Sequence, residues 1–282
     1  MAWSPDGKWL AFVGATSLRD STAQSLFVAP AGGGEARDLT SNYDGSVLWV
    51  GWRDAATLLF GAVEGTRTVM NRIGPTGGPI ERAVGGGEES FVFITLGITT
   101  GVSLDARGRT FAAPMNTAMH ADEVYVGTTD GRQVRRVTNH NAFIERIRLA
   151  KQETIEWKAA DGLRIEGILI HPLEEQAGIR YPLVVIPHGG PEGAAVNAFF
   201  VTFPQSPGQV FAARGYAVLY PNYRGSIGRG VAFSRANHRD LGGKDLMDIL
   251  SGIDHLVARG LVDPDRVAIQ GVSYGGYLAA LA

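Results

Sequence analysis

The hexapeptide Gly271-Val-Ser-Tyr-Gly-Gly276 sets a serine hydroxyl between glycines in the G-x-S-x-G spacing used for acyl transfer. In such an elbow a strand turns sharply into a helix, and a side chain at either flanking position would strike the neighbouring strand or helix. The turn holds the serine out from the chain, where its hydroxyl can attack a carbonyl carbon. The alternative is a plain strand-to-helix loop, and the flanking segments decide between the two. Arg266-Val-Ala-Ile-Gln270 reads as a strand, and Tyr277-Leu-Ala-Ala-Leu-Ala282 is helix-prone. A second signal, His188-Gly-Gly-Pro191, follows an apolar strand. Glycine at this place lets a backbone N–H approach a substrate oxygen and stabilise developing negative charge. The His188 side chain itself reads as structural, bonding its own loop.

The segments around these motifs form an α/β pattern. Thr154 to Ala160 and Leu163 to His171, joined through Asp161-Gly162, read as a hairpin of two alternating strands. Tyr181-Pro-Leu-Val-Val-Ile186 and Tyr216-Ala-Val-Leu-Tyr220 are almost continuously apolar, as suits parallel strands buried on both faces. Lys244 to Arg259 repeats apolar residues at three-and-four spacing and predicts an amphipathic helix. The turn Asp263-Pro-Asp265 then leads into the strand before the elbow.

The first half differs. Trp3 to Phe12 aligns with Trp52 to Phe60 and with Leu104 to Ala113, and each copy is followed by a second short run: Ser25 to Ala29, Thr68 to Arg72 and Glu123 to Gly127. The starts at 3, 52 and 104 are spaced like four-stranded propeller blades. The expectation is a partial β-propeller of about three blades over residues 1–150, too few to close a ring. A β-sandwich is the alternative. Residues 151–282 are then the N-terminal part of an α/β-hydrolase domain that ends after the elbow.

Lys and Arg total 26 against 28 Asp and Glu, a net charge of −2 with no run of like charges, which argues against a nucleic-acid partner. The chain has no cysteine, so disulfides and thiolate metal sites are excluded, and nothing in it calls for a metal or a cofactor. No stretch approaches a membrane helix of about 18 apolar residues, and the first seven residues lack the pattern of a signal peptide. The chain therefore reads as a soluble protein of the cytoplasm without a membrane partner; the oligomeric state is not legible.

His188-Gly-Gly-Pro191, Asn222-Tyr-Arg-Gly-Ser226, Gly242-Gly-Lys-Asp245 and Gly271-Val-Ser-Tyr-Gly-Gly-Tyr277, in this order, resemble the motifs of the prolyl oligopeptidase family (S9) of serine peptidases. The likeness is to its acylaminoacyl-peptidase and dipeptidyl-peptidase members. The resemblance implies a β-propeller before an α/β-hydrolase domain, truncated at both ends. It also implies a peptidase acting on short peptides through an acyl-enzyme, with Ser273 as nucleophile and the N–H groups of Tyr274 and Gly190 as oxyanion donors. Arg224 is expected either to pack its loop or to meet substrate, with a surface arginine as the alternative.

In the family pattern an acid and a histidine follow the serine. Tyr274 to Ala282 contains neither, so this chain alone is expected to be inactive. His238 and His255 are not expected near Ser273. Two other functions compete: a propeller binding module with a non-catalytic hydrolase-like domain, and an esterase for small esters. Glu88-Glu89 is read as an exposed acidic turn rather than a grip for a substrate amine.

Overall fold

The computed structural model describes residues 1–17, 20–87, 89–92, 94–95, 98–99, 101–199 and 207–282. The chain divides into two compact units, Met1–Glu145 with Gly228–Val231, and Arg146–Ile227 with Ala232–Ala282.

The first unit is built from antiparallel meanders. Strands β1 (Ala2–Trp3), β2 (Trp9–Ser17), β3 (Asp20–Pro30) and β4 (Arg37–Asp38) pair in sequence order. So do β5 (Ser46–Asp54), β6 (Thr57–Glu64), β7 (Arg67–Ile73) and β8 (Glu81–Val84). The third group has β9 (Ser90–Phe91), the separate pair β10 (Ile94–Thr95) and β11 (Ile98–Thr99), then β12 (Ser103–Leu104), β13 (Thr110–Asn116), β14 (Glu123–Thr128) and β15 (Val134–Arg136). Here β12 to β15 pair in order and β9 joins the free end of β13. The three copies of the sequence repeat fall on β1–β2, β5–β6 and β12–β13, and the second runs on β3, β7 and β14. Among the described residues no sheet closes on itself.

Alternation along β6 explains how the sheets stack. Leu58, Phe60 and Ala62 join Ala11, Leu26 and Val28 in one core, while Leu59 points to the opposite core with Phe91, Phe111 and Met115. Turns use glycine where φ must be positive, as at Gly7 (φ 69°) and Gly131 (φ 75°). Residues 228–231 belong here by contact: Gly228 donates its N–H to Ser46 Oγ at 3.0 Å and accepts from Gly65 N–H at 2.7 Å. Local sequence patterns gave no sign of this.

The last turn of this unit is pinned by the buried Glu123, which accepts from Thr138 Oγ1 and from the Asn141 N–H at 2.8 Å. Burial opposes its charge, but the donors Thr138, Asn141 and His140 outweigh that and hold its carboxyl at about 2, below the ordinary 4.5. A depressed folded value means the contribution to stability is complete above about pH 4.5 and is lost as pH falls through about 2. Glu123→Gln is expected to flatten that part of the stability curve, measured by urea unfolding between about pH 5 and 2.

The second unit centres on a five-stranded mixed sheet. Its strands are β16 (Gln152–Lys158), β17 (Arg164–Ile170), β18 (Tyr181–Val185), β19 (Ala217–Asn222) and β20 (Val262–Ile269), in the order β16-β17-β19-β18-β20. The first two form the expected hairpin, β17 pairs antiparallel with β19, and β18 runs parallel to both β19 and β20. Leu183 and Val185 face one core with Leu219, Ile249, Leu256 and Leu278, whereas Val184, Ile186, Val218 and Tyr220 face the other. Both faces are therefore buried, which is why these strands are continuously apolar. Helices α1 (Gly208–Ala212), α2 (Gly230–Ser234), α3 (Lys244–Ala258) and α4 (Tyr274–Leu281) complete the chain.

One sequence boundary moves. β20 begins at Val262 rather than after the Asp263-Pro-Asp265 turn, because Val262 already pairs with Tyr181 before the register shifts and Val267 pairs with Leu183. The expected turn is thus an irregularity within the pairing, held by Asp263, which bonds the Asp265 N–H at 3.1 Å and Arg266 Nε at 2.6 Å.

Candidate active site

Strand β20 runs through Gln270, whose N–H donates to Val185 C=O at 3.0 Å, into Gly271-Val272-Ser273 and then directly into α4. Ser273 takes φ 58° and ψ −127°, and Ser273 and Arg239 are the described non-glycine residues at positive φ. The conformation is costly for a residue with a Cβ and persists only where surrounding packing enforces it. Two glycines allow that packing. A Cβ on Gly271 would lie 2.4 Å from the carbonyl of Gly275, and one on Gly275 would lie 2.1 Å from Pro187 O and 3.1 Å from His188 O. Helix α4 can meet the end of β18 this closely only because both positions are bare.

Gly275→Ala should force this helix start away from the loop after β18. We expect a loss of about 1–3 kcal/mol from overpacking against backbone that cannot swing aside, read from the shift in urea midpoint.

The His188-Gly-Gly loop lies beside the serine: a Cβ on Gly189 would sit 3.2 Å from Ser273 Cβ and 3.7 Å from its Oγ. Ser273 is exposed, and its Oγ has no hydrogen-bond partner among the described residues. Neither the N–H of Gly190 (φ 132°) nor that of Tyr274 has a backbone acceptor among the described residues. Sequence reasoning named Ser273, Tyr274 and Gly190. Ser273 and Tyr274 adjoin in the elbow, and Gly190 directly follows the glycine that faces the serine.

His188 is buried, with Nδ1 2.9 Å from Gly189 O and Nε2 2.8 Å from Ser226 Oγ, and its ring stacks on Tyr223 at 4.5 Å. Burial, partly countered by the bond to Gly189, pushes its pKa down to about 4, so it is neutral at pH 7. It is a structural histidine, as the sequence suggested. His171 is held between Glu175 and Glu153 at 2.7 and 3.0 Å, and His120 is bonded to Thr117. His255 lies on α3, lining an open depression of about 760 Å³ with Trp157, Arg164, Ser251 and Asp254, a depression whose lining includes none of Ser273, Tyr274 or Gly190. Among the described residues no histidine bonds Ser273 Oγ.

Arg224 takes the first of its expected roles, packing its loop, rather than the alternative of a surface arginine. It is 5% exposed and bonds Asp248 through Nε (2.9 Å) and NH2 (2.7 Å), and Asp161 through NH1 (2.8 Å) and NH2 (3.0 Å). Asp248 also accepts the Arg224 backbone N–H at 2.8 Å. The guanidinium holds the Asp161 carboxyl down to about 2, while burial lifts Asp248 against the pull of the same cation. With all of these donors engaged, Arg224 packs its loop. Glu88 lies outside the described residues.

A strand, a positive-φ serine and a helix on a mixed sheet have the form of the nucleophile elbow of α/β-fold serine hydrolases. The prolyl oligopeptidase family model matches residues 202–282, and this match, with relatives named as peptidases, supports a serine peptidase, and so a hydrolase, by family. It is 35% identical over 150 residues to the uncharacterized peptidase YuxL of Bacillus subtilis, a match covering 52% of this chain and 22% of that protein. To dipeptidyl-peptidase 5 of Porphyromonas gingivalis it is 26% identical over 280 residues, 98% of this chain and 39% of that protein. Among solved structures, the acylaminoacyl peptidase of Pyrococcus horikoshii superposes with a TM-score of 0.77 at 23% identity, over 98% of this chain and 41% of that one. The chain thus spans well under half the length of these relatives. No helix among the described residues is long and apolar enough to cross a membrane.

Proposed function

We propose that this chain carries the nucleophile and oxyanion donors of a serine peptidase that cleaves short peptides through an acyl-enzyme. Ser273 Oγ attacks the scissile carbonyl, and the N–H groups of Tyr274 and Gly190 receive the oxyanion. Such donors are each worth about 3–4 kcal/mol of barrier. The observation that carries this reading is Ser273 at φ 58° between two glycines that no other residue could replace without collision.

Residues 1–150 are assigned as a partial β-propeller of about three blades, on the strength of three stacked meanders with a repeated sequence. Residues 151–282 are assigned as the N-terminal part of the hydrolase domain. Among the described residues no histidine bonds Ser273 Oγ, which supports the reading that this chain alone lacks the general base and its orienting acid and is inactive. Short peptides are the partners that the peptidase relatives support.

The test is covalent labelling by a fluorophosphonate probe, applied to this chain, to the full-length gene product and to its Ser273→Ala variant. Labelling of the full-length protein that is lost on substitution supports the assignment. A folded full-length protein that takes no label would instead favour a binding module with a non-catalytic hydrolase-like domain.

A further inference from the structure

The two proposed oxyanion donors belong to separate stretches of chain, and catalysis of this type depends on their spacing. The side chains behind them are linked. Tyr223, fully buried at the end of β19, donates its hydroxyl to His188 C=O at 2.7 Å, and its ring stacks on the His188 imidazole. This fixes the peptide that leads into Gly189 and Gly190. The Tyr223 ring also meets the ring of Tyr274, with centroids 6.2 Å apart at a tilt of 39°. Tyr274 is in turn anchored at its hydroxyl, which donates to Asp245 Oδ2 and accepts from the Gly242 N–H at 3.1 Å.

Asp245 is a firm anchor. It is fully buried at the start of α3, where Oδ1 accepts the Leu246 N–H at 2.9 Å and Oδ2 also accepts Asn237 Nδ2 at 3.2 Å. Burial and the adjacent Asp245 carboxylate both push the Tyr274 phenol upward, so it stays protonated and keeps donating. From sequence, Asp245 closes the Gly242-Gly-Lys-Asp245 motif and is favourable at a helix start, with no sign of what it would bond. Its burial against a phenol needs another explanation, since a buried carboxylate is expensive unless it is bonded.

We infer that Asp245, Tyr274 and Tyr223 form one brace that sets the separation between the Tyr274 N–H and the His188-Gly189-Gly190 loop. The inference rests on the donor assignment proposed above. Tyr223 and Tyr274 are positioning residues through their side chains, distinct from the backbone N–H by which Tyr274 touches substrate. A brace of this kind acts on the oxyanion, which exists only in the transition state, and hardly on the bound ground state.

The test uses the full-length gene product with Tyr223→Phe, Tyr274→Phe and the double variant, each deleting one hydroxyl while keeping the ring. Steady-state hydrolysis of a chromogenic peptide gives kcat and KM, and thermal unfolding is followed in parallel. Each single variant is expected to lose about 10–100-fold in kcat with KM within about twofold of the parent, and the double variant to lose less than the product of the two. Unchanged kcat in both single variants overturns the brace, as does a loss that appears in KM. A loss of kcat that tracks the fraction unfolded at the assay temperature also overturns it. Ser273→Ala separates the two levels. If it abolishes turnover while the tyrosine variants are indifferent, the brace alone falls; if it leaves turnover intact, the donor assignment falls with it.

Discussion

Replacing Ser273 by alanine in the full-length gene product is expected to lower turnover of a peptide substrate by about a million-fold, as loss of the nucleophile does in comparable serine peptidases. The remaining rate should still exceed the uncatalysed one by about 10³–10⁴-fold, from substrate binding and the oxyanion donors. The expectation follows from local geometry: an exposed hydroxyl with no partner among the described residues, at the tip of a turn that glycines alone permit. Initial rates against a chromogenic peptide check it. A loss of tenfold or less would remove Ser273 from the chemistry.

The second large effect concerns stability. Arg224→Met should destabilise the second unit by about 3–5 kcal/mol, because Asp248, fully buried, would lose its cation and be left either charged and unpaired or protonated without the bonds it now makes. Removing both charges, as Arg224→Met with Asp248→Leu, should recover much of that loss, since an apolar pair avoids the cost of burying two ions. Urea unfolding of the single and double variants measures this. Equal midpoints for the single variant and the parent would show that the ion pair is dispensable.

What the sequence disclosed, and what it concealed, divides by distance along the chain. The elbow is legible because its requirements are local: Gly271, Ser273 and Gly275 lie within five positions, and the collisions that exclude other residues involve a strand and a helix that announce themselves. The hairpin of β16 and β17 and the buried strands β18 and β19 declare themselves by alternation or its absence. Arg224 was opaque. Its partners Asp161 and Asp248 stand 63 and 24 residues away, and no periodicity links a turn residue to a helix face. Asp245 was visible within the Gly242-Gly-Lys-Asp245 motif, but its bonding was not, because its phenol partner lies 29 residues later. The grouping of residues 228–231 with the first unit was hidden for the same reason, since Gly228 bonds Ser46 from 182 positions away.

The positive φ of Ser273 bears on why a serine stands there at all. A left-handed backbone costs a residue with a Cβ about 1–2 kcal/mol that glycine does not incur. Selection for folding alone would therefore favour glycine at position 273 as well, a fourth in the run with Gly271, Gly275 and Gly276. A hydroxymethyl group at the least comfortable position of the turn works against stability, and its presence there fits a benefit that lies outside the folded chain, in what the hydroxyl meets.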